Sequence, residues 1–161
     1  GWSEAMVGLS LAAFGLITAI VQGGLTGPVV KWMGERNAAL FGLVMAVVAL
    51  IGYGFAGSLV AVLILLVIHA PEGFVHPALT ALMSHQAPED AQGELQGGIA
   101  SLQSVGMFMG TVLFSQVFGW FMRPEAASPS PGAPYFLAAL MLAATLAYFL
   151  TLRGVGAVTR R

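Results

Sequence analysis

Five long apolar stretches, each separated from the next by a short polar break, constrain this chain more than any other feature. They run at about Ala5–Val30, Ala38–Ala56, Leu59–Met83, Ile99–Phe121 and Pro134–Leu152. A helix needs about 20 apolar residues to cross the hydrocarbon core of a bilayer, and each stretch is of that order. The period-two alternation of a membrane barrel is absent, and the runs are rich in Leu, Ala and Gly. Lipid donates no hydrogen bonds, so each span has to satisfy its backbone internally. The expected fold is an all-α membrane protein of five transmembrane helices.

Composition supports this choice of solvent. Of 161 residues, 58% are hydrophobic and 8% charged, against about half and about a quarter in soluble domains. A net charge of −1 gives no basic footprint for nucleic acid, which is excluded as a partner. Cysteine is absent, so disulfides and thiolate metal sites are excluded. The chain opens Gly1-Trp2-Ser3-Glu4, with no initiator Met and no visible signal peptide. It reads as a fragment whose beginning is missing, ending on a natural-looking Thr159-Arg160-Arg161.

The polar breaks set the orientation. With five spans, Lys31, Arg36, Arg153, Arg160 and Arg161 fall on one side and Arg123 alone on the other. The positive-inside rule then makes the Lys31–Asn37 loop, the Ser84–Gln96 loop and the C-terminus cytoplasmic, with the N-terminal residue outside. Trp32, Trp120 and Phe121 read as interface anchors, and Trp2 as a further one. Small residues recur four apart at Gly23/Gly27, Gly93/Gly97, Gly106/Gly110 and Ala139/Ala143/Ala147. Such spacing suits close helix packing in lipid.

The third span is unusual. His69, Glu72, His76 and Thr80 lie at offsets of 0, 3, 7 and 11, which on a straight helix fall within an arc of about 80°. Glu72 is near the middle of the span, where a carboxylate costs on the order of 2.5–3.5 kcal/mol on insertion scales. It must face the bundle interior or a watery cavity, where a carboxylate flanked by imidazoles can exchange protons. Pro71 and Pro77 each remove an amide donor, with Gly73 between them, so the helix is expected to kink or break at mid-membrane. Transporters bind substrate and coupling ions at such breaks. The plain structural alternative is a Glu72–His pair acting as interhelical glue. Metal ligation by His69, Glu72 and His76, as in an intramembrane metalloenzyme, is a further alternative. However, positions 69 and 76 of a straight helix are about 10 Å apart, too far for one ion, and neither a metal nor a cofactor is expected. Gln22, Gln103 and Gln116 are polar groups within spans, able to contact a ligand or a neighbouring helix.

The segment Gly27-Pro28-Val29-Val30-Lys31-Trp32-Met33-Gly34-Glu35-Arg36 reads as a tight charged hairpin. Its ions can pair with neighbouring helix ends and latch one conformation. Here the sequence resembles the major facilitator superfamily, specifically its tetracycline/proton antiporter (multidrug efflux) group. The hairpin is similar to the degenerate second-half copy of that superfamily's cytoplasmic signature. Further agreement lies in Gly8-Leu9-Ser10-Leu11-Ala12-Ala13-Phe14-Gly15, in Pro77-Ala78-Leu79-Thr80-Ala81-Leu82-Met83-Ser84 and in Gln92-Gly93-Glu94-Leu95-Gln96-Gly97-Gly98-Ile99-Ala100-Ser101-Leu102.

The resemblance implies helices eight to twelve of a twelve-helix, multi-pass transporter of the bacterial inner membrane, with the N-terminal half missing. It implies no enzyme, but proton-coupled efflux of tetracycline-like or other hydrophobic small molecules by alternating access. Uptake of a small metabolite is the nearest alternative. Protons, a small-molecule substrate, the lipid bilayer and the missing half are the implied partners. Gly27, Lys31, Gly34, Glu35 and Arg36 would serve as a conformational motif, and Gln92, Gly93, Gln96 and Gly97 as a second loop motif. His69, Glu72, His76, Thr80, Gln22 and Gln103 are the candidates for coupling or substrate contact. Two features depart from the family pattern: Gly110-Thr111 stands where Gly-Pro is common, and the His69/Glu72/His76 stripe replaces a Gly-rich apolar stretch.

Overall fold

The computed structural model describes residues 3–123 and 130–152. Among them are five helices long and apolar enough to cross a membrane: α1 Glu4–Met33, α2 Glu35–Phe55, α3 Leu59–Ser84, α4 Glu89–Phe121 and α5 Ala133–Thr151. No strand occurs among the described residues. The first and third are longer than the apolar runs alone suggested. The fourth differs most, because Gln92 to Gln96, expected as part of the Ser84–Gln96 loop, already belongs to its helix. They contain no Pro, so every amide can join a helix that projects beyond the apolar run, although Gly93 favours one little. Trp2, Arg153, Arg160 and Arg161 lie outside the described residues.

Helix α2 is the centre of the bundle and packs against α3 and α5. Its buried residues, Ala38, Ala39, Gly42, Leu43, Ala46 and Ala49, repeat at three- and four-residue spacing and form one stripe of mostly small side chains. Small residues let backbones approach where lipid supplies no hydrophobic drive. The approach is closest at Gly42, where an added Cβ would lie 2.6 Å from the Pro71 carbonyl oxygen of α3. At the far end of α2, a Cβ on Gly54 would collide with the Phe136 ring, and one on Gly132 with the Gly54 backbone.

The expected glycine faces behave differently. A Cβ added at Gly23, Gly27, Gly93, Gly97 or Gly106 meets nothing within 4 Å, and one at Gly110 meets only Phe114 of its own helix. These pairs are not contact points among the described residues. Of the alanine repeat, Ala139 alone is buried.

Two helices lose regular α geometry inside the span. In α1, Val21–Leu25 forms a π turn. The Thr26 amide and hydroxyl both donate to the Val21 carbonyl, the hydroxyl at 2.9 Å, while Gly23 and Gly24 offer little helix propensity to resist. In α3, Ala70–Phe74 is a 3₁₀ turn. Pro71 has no amide to give the preceding turn, and the Ala70 amide covers both the Leu66 and the Val67 carbonyls. The break expected around Pro71 and Gly73 thus takes the form of a tightened turn.

Candidate functional site

The two irregular turns cross each other. A Cβ on Gly73 would come within 3.0 Å of Val21 Cγ1, so glycine allows the π turn and the 3₁₀ turn to touch. Around the crossing lies a small pocket of about 120 Å³, whose walls include Gln22, His69, Glu72 and Gly73. Glu72 stands near the middle of α3 and is exposed in this chain. No ion-pair partner for it occurs among the described residues. Gln22 lies within the π turn of α1 and lines this pocket.

The four-residue stripe does not stay together. A 3₁₀ turn advances about 120° per residue instead of about 100°, so five such residues shift the helix phase by about 100°. His69 packs edge-on against Tyr53 of α2, with ring centroids 5.7 Å apart. Glu72 faces the pocket with Gln22. His76 instead meets α4, its Nδ1 3.0 Å from Gln103 Nε2, so Gln103 bridges helices and does not line the pocket. Thr80 Oγ1 is buried without a hydrogen-bond partner. The structure brings together Gln22, His69 and Glu72, and separates His76, Gln103 and Thr80 from them.

A second cleft adjoins the first at the end of the bundle remote from Lys31 and Arg36. It measures about 490 Å³ and shares Phe14, Leu66 and His69 with the small pocket. Tyr53 and Tyr135 line it, their rings 5.6 Å apart, and the Tyr53 hydroxyl is buried without a partner. Sequence reasoning passed over both tyrosines. The available signal was Tyr53 itself, a phenol three residues inside the end of an apolar span.

At the other end the hairpin residues divide by task. Gly34 has φ +81°, a backbone that favours glycine, and it makes the turn between α1 and α2. Gly27 sits within the helix, and Lys31 in the last turn of α1, where a cation complements the helix dipole. Glu35 Oε2 lies 3.5 Å from His85 Nδ1, beyond the end of α3. Arg36 Nη1 donates to the Leu152 carbonyl at the end of α5, and its guanidinium lies 5.3 Å from the centre of the Phe149 ring. In the second loop, Gln92 Nε2 donates to the Ser84 and Ala87 carbonyls, both at 3.0 Å, and Gln92 Oε1 accepts from Ser84 Oγ at 2.6 Å. Gln92 thereby ties α3 to α4. Gly93, Gln96 and Gly97 are exposed.

Neither a family model nor a solved structure matches the chain. Curated relatives do. Over 117 residues, or 73% of the chain, it is 34% identical to the class C tetracycline resistance protein of Escherichia coli and 37% identical to the class G protein of Vibrio anguillarum. It is also 25% identical over 121 residues to the human Hippocampus abundant transcript-like protein 1, covering 24% of that protein. The chain spans about 30% of the length of the tetracycline resistance proteins it matches. The homologues of this chain are thus tetracycline resistance proteins, and with its five membrane-length helices they support an integral membrane protein.

Proposed function

We propose that the chain forms helices eight to twelve of a secondary transporter that exports tetracycline-like or other hydrophobic small molecules in exchange for protons, by alternating access. The observation that carries this reading is the crossing of the π turn and the 3₁₀ turn, with Glu72 and Gln22 beside it. Irregular turns at the depth of the bilayer midplane are where transporters hold substrate and coupling ions, and a mid-span carboxylate is a functional group by default. Glu72 is the coupling acid and His69 its neighbour in proton exchange.

In this reading the end bearing Lys31 and Arg36 faces the cytoplasm of a bacterial inner membrane, and Ser3 lies toward the outside. The contacts of Glu35 and Arg36 with the ends of α3 and α5 form a latch that holds one conformation and opens in the other. The missing N-terminal half completes the cavity. Replacement Glu72→Gln in the transporter is expected to abolish pH-driven flux in vesicles while the protein remains folded and membrane-inserted. Wild-type flux by that variant would remove Glu72 from the coupling role.

A further inference from the structure

The end of the bundle that carries Gly34 is held by two contacts of different chemistry, made by adjacent residues. Arg36 donates to the Leu152 carbonyl at the end of α5, and a guanidinium keeps its charge at any physiological pH. Glu35 reaches toward α3 instead, its Oε2 3.5 Å from Nδ1 of His85. That contact joins opposite charges only while the imidazole is protonated. Imidazole is the side chain that ordinarily gains or loses its charge between about pH 5 and 8. One contact is therefore constant, and the other follows pH.

The position of each partner suits this role. Glu35 is the first residue of α2 and His85 caps the end of α3, so a negative and a positive charge each meet the favourable end of a helix dipole. The backbone fixes His85, whose amide donates to the Ala81 carbonyl at 3.0 Å, and the neighbouring Ser84 is bonded to Gln92 of α4. The His85 side chain is 48% exposed and that of Glu35 15%, so solvent protons reach the imidazole. The other charged groups at this end are Lys31 in the last turn of α1, Arg36 on α2, and Glu89, Asp90 and Glu94 where α4 begins. Among the described residues only Glu35 lies within ion-pair distance of His85. Side chains of those other kinds ordinarily hold one charge throughout this pH range, which leaves His85 as the group that changes.

We propose that His85 and Glu35 form a pH-sensitive arm of the latch, engaged when the solution at this end is acidic and released when it is alkaline. The attraction needs the protonated ring, so it is present below the titration of His85 and lost as pH rises through it. This inference rests on the proposed exchange of drug for protons, with this end toward the cytoplasm. Protons brought in by export then tighten the latch and slow further turnover.

The test places spin labels on Trp32→Cys and Gln86→Cys, one on each side of the pair, in the transporter with no other cysteine. Pulsed electron resonance gives their separation at about pH 5.5 and about pH 8, on either side of the ordinary imidazole range. The near population should gain about two- to five-fold over the far one at acid pH, as suits a partly exposed ion pair. His85→Gln should remove this response, and Glu35→Gln should remove it independently. His85→Arg, whose charge is permanent, should keep the near population at both pH values. Glu72→Gln should respond like the wild type. A wild type without a response, a response that survives in His85→Gln and Glu35→Gln, or one lost in Glu72→Gln overturns the proposal. The separation is read without flux, so normal transport by Glu72→Gln removes the coupling role and leaves this arm standing.

Discussion

Helices α2 and α4 both carry small residues at helical spacing, yet their surroundings are opposite. In α2 the stripe from Ala38 to Ala49 is buried. In α4 no residue is buried, although Gly93/Gly97 and Gly106/Gly110 repeat the same spacing. Leu102 and Met107 of α4 are each 75% exposed. The difference lies in the partner. Helix α2 meets the 3₁₀ turn of α3, whose Pro71 carbonyl projects onto Gly42. Helix α4 is held to α3 by Gln103 and Gln92 and presents its glycines to open space. Small-residue spacing therefore permits a contact, and the shape of the opposing backbone decides whether it forms.

The largest effect is expected where that fit is tightest. Gly42→Val puts a branched side chain against the Pro71 carbonyl and Val75, and overpacking of this kind costs about 1–3 kcal/mol or more. Thermal unfolding in detergent should show a marked loss. A neutral result would mean that α2 does not brace the 3₁₀ turn. Arg36→Ala removes a charged donor from the Leu152 carbonyl, and a hydrogen bond to a charged group contributes about 1.5–3 kcal/mol. The same assay should show a loss near the lower end of that range, because the hairpin is partly exposed.

Less should follow from Gln103→Leu, which cuts the bond to His76. Side-chain hydrogen bonds between membrane helices average about 0.6 kcal/mol. Cysteine cross-linking between α3 and α4 would report whether the helices separate more readily. The smallest effect is expected at Gly106, where a Cβ meets nothing. Gly106→Ala should be neutral or stabilise the helix by about 0.5–1 kcal/mol. A loss of about 2 kcal/mol, well outside the range of surface changes, would show that this face of α4 is covered in the working protein and would erase its contrast with α2.

Much of this arrangement was legible in the sequence. Apolar length fixed the number of helices, and Pro71 with Gly73 marked the break in α3, because a missing amide acts locally. Gly34 was legible because a tight hairpin turn calls for the backbone freedom of glycine, also a local property. The crossing was not. The π turn at Val21–Leu25 contains no proline, and its stabilising bond comes from Thr26, an ordinary residue within a helix. Gln22 lies in that turn and shares a pocket with Glu72, a proximity that nothing in the sequence marks. The four-residue stripe was misjudged because a straight-helix projection carries no phase shift, and the 3₁₀ turn supplies one. Tyr53 escaped notice because its meaning depends on His69, Tyr135 and the cleft between them, which are remote in sequence.

The packing of α2 against α3 braces the turn that carries Glu72. The most direct test of Glu72 as coupling acid is the release of protons on substrate binding, measured in weakly buffered detergent solution. Tetracycline should release protons from the wild-type transporter and none from Glu72→Gln, with both proteins still binding the drug. Wild-type proton release from Glu72→Gln would contradict the account.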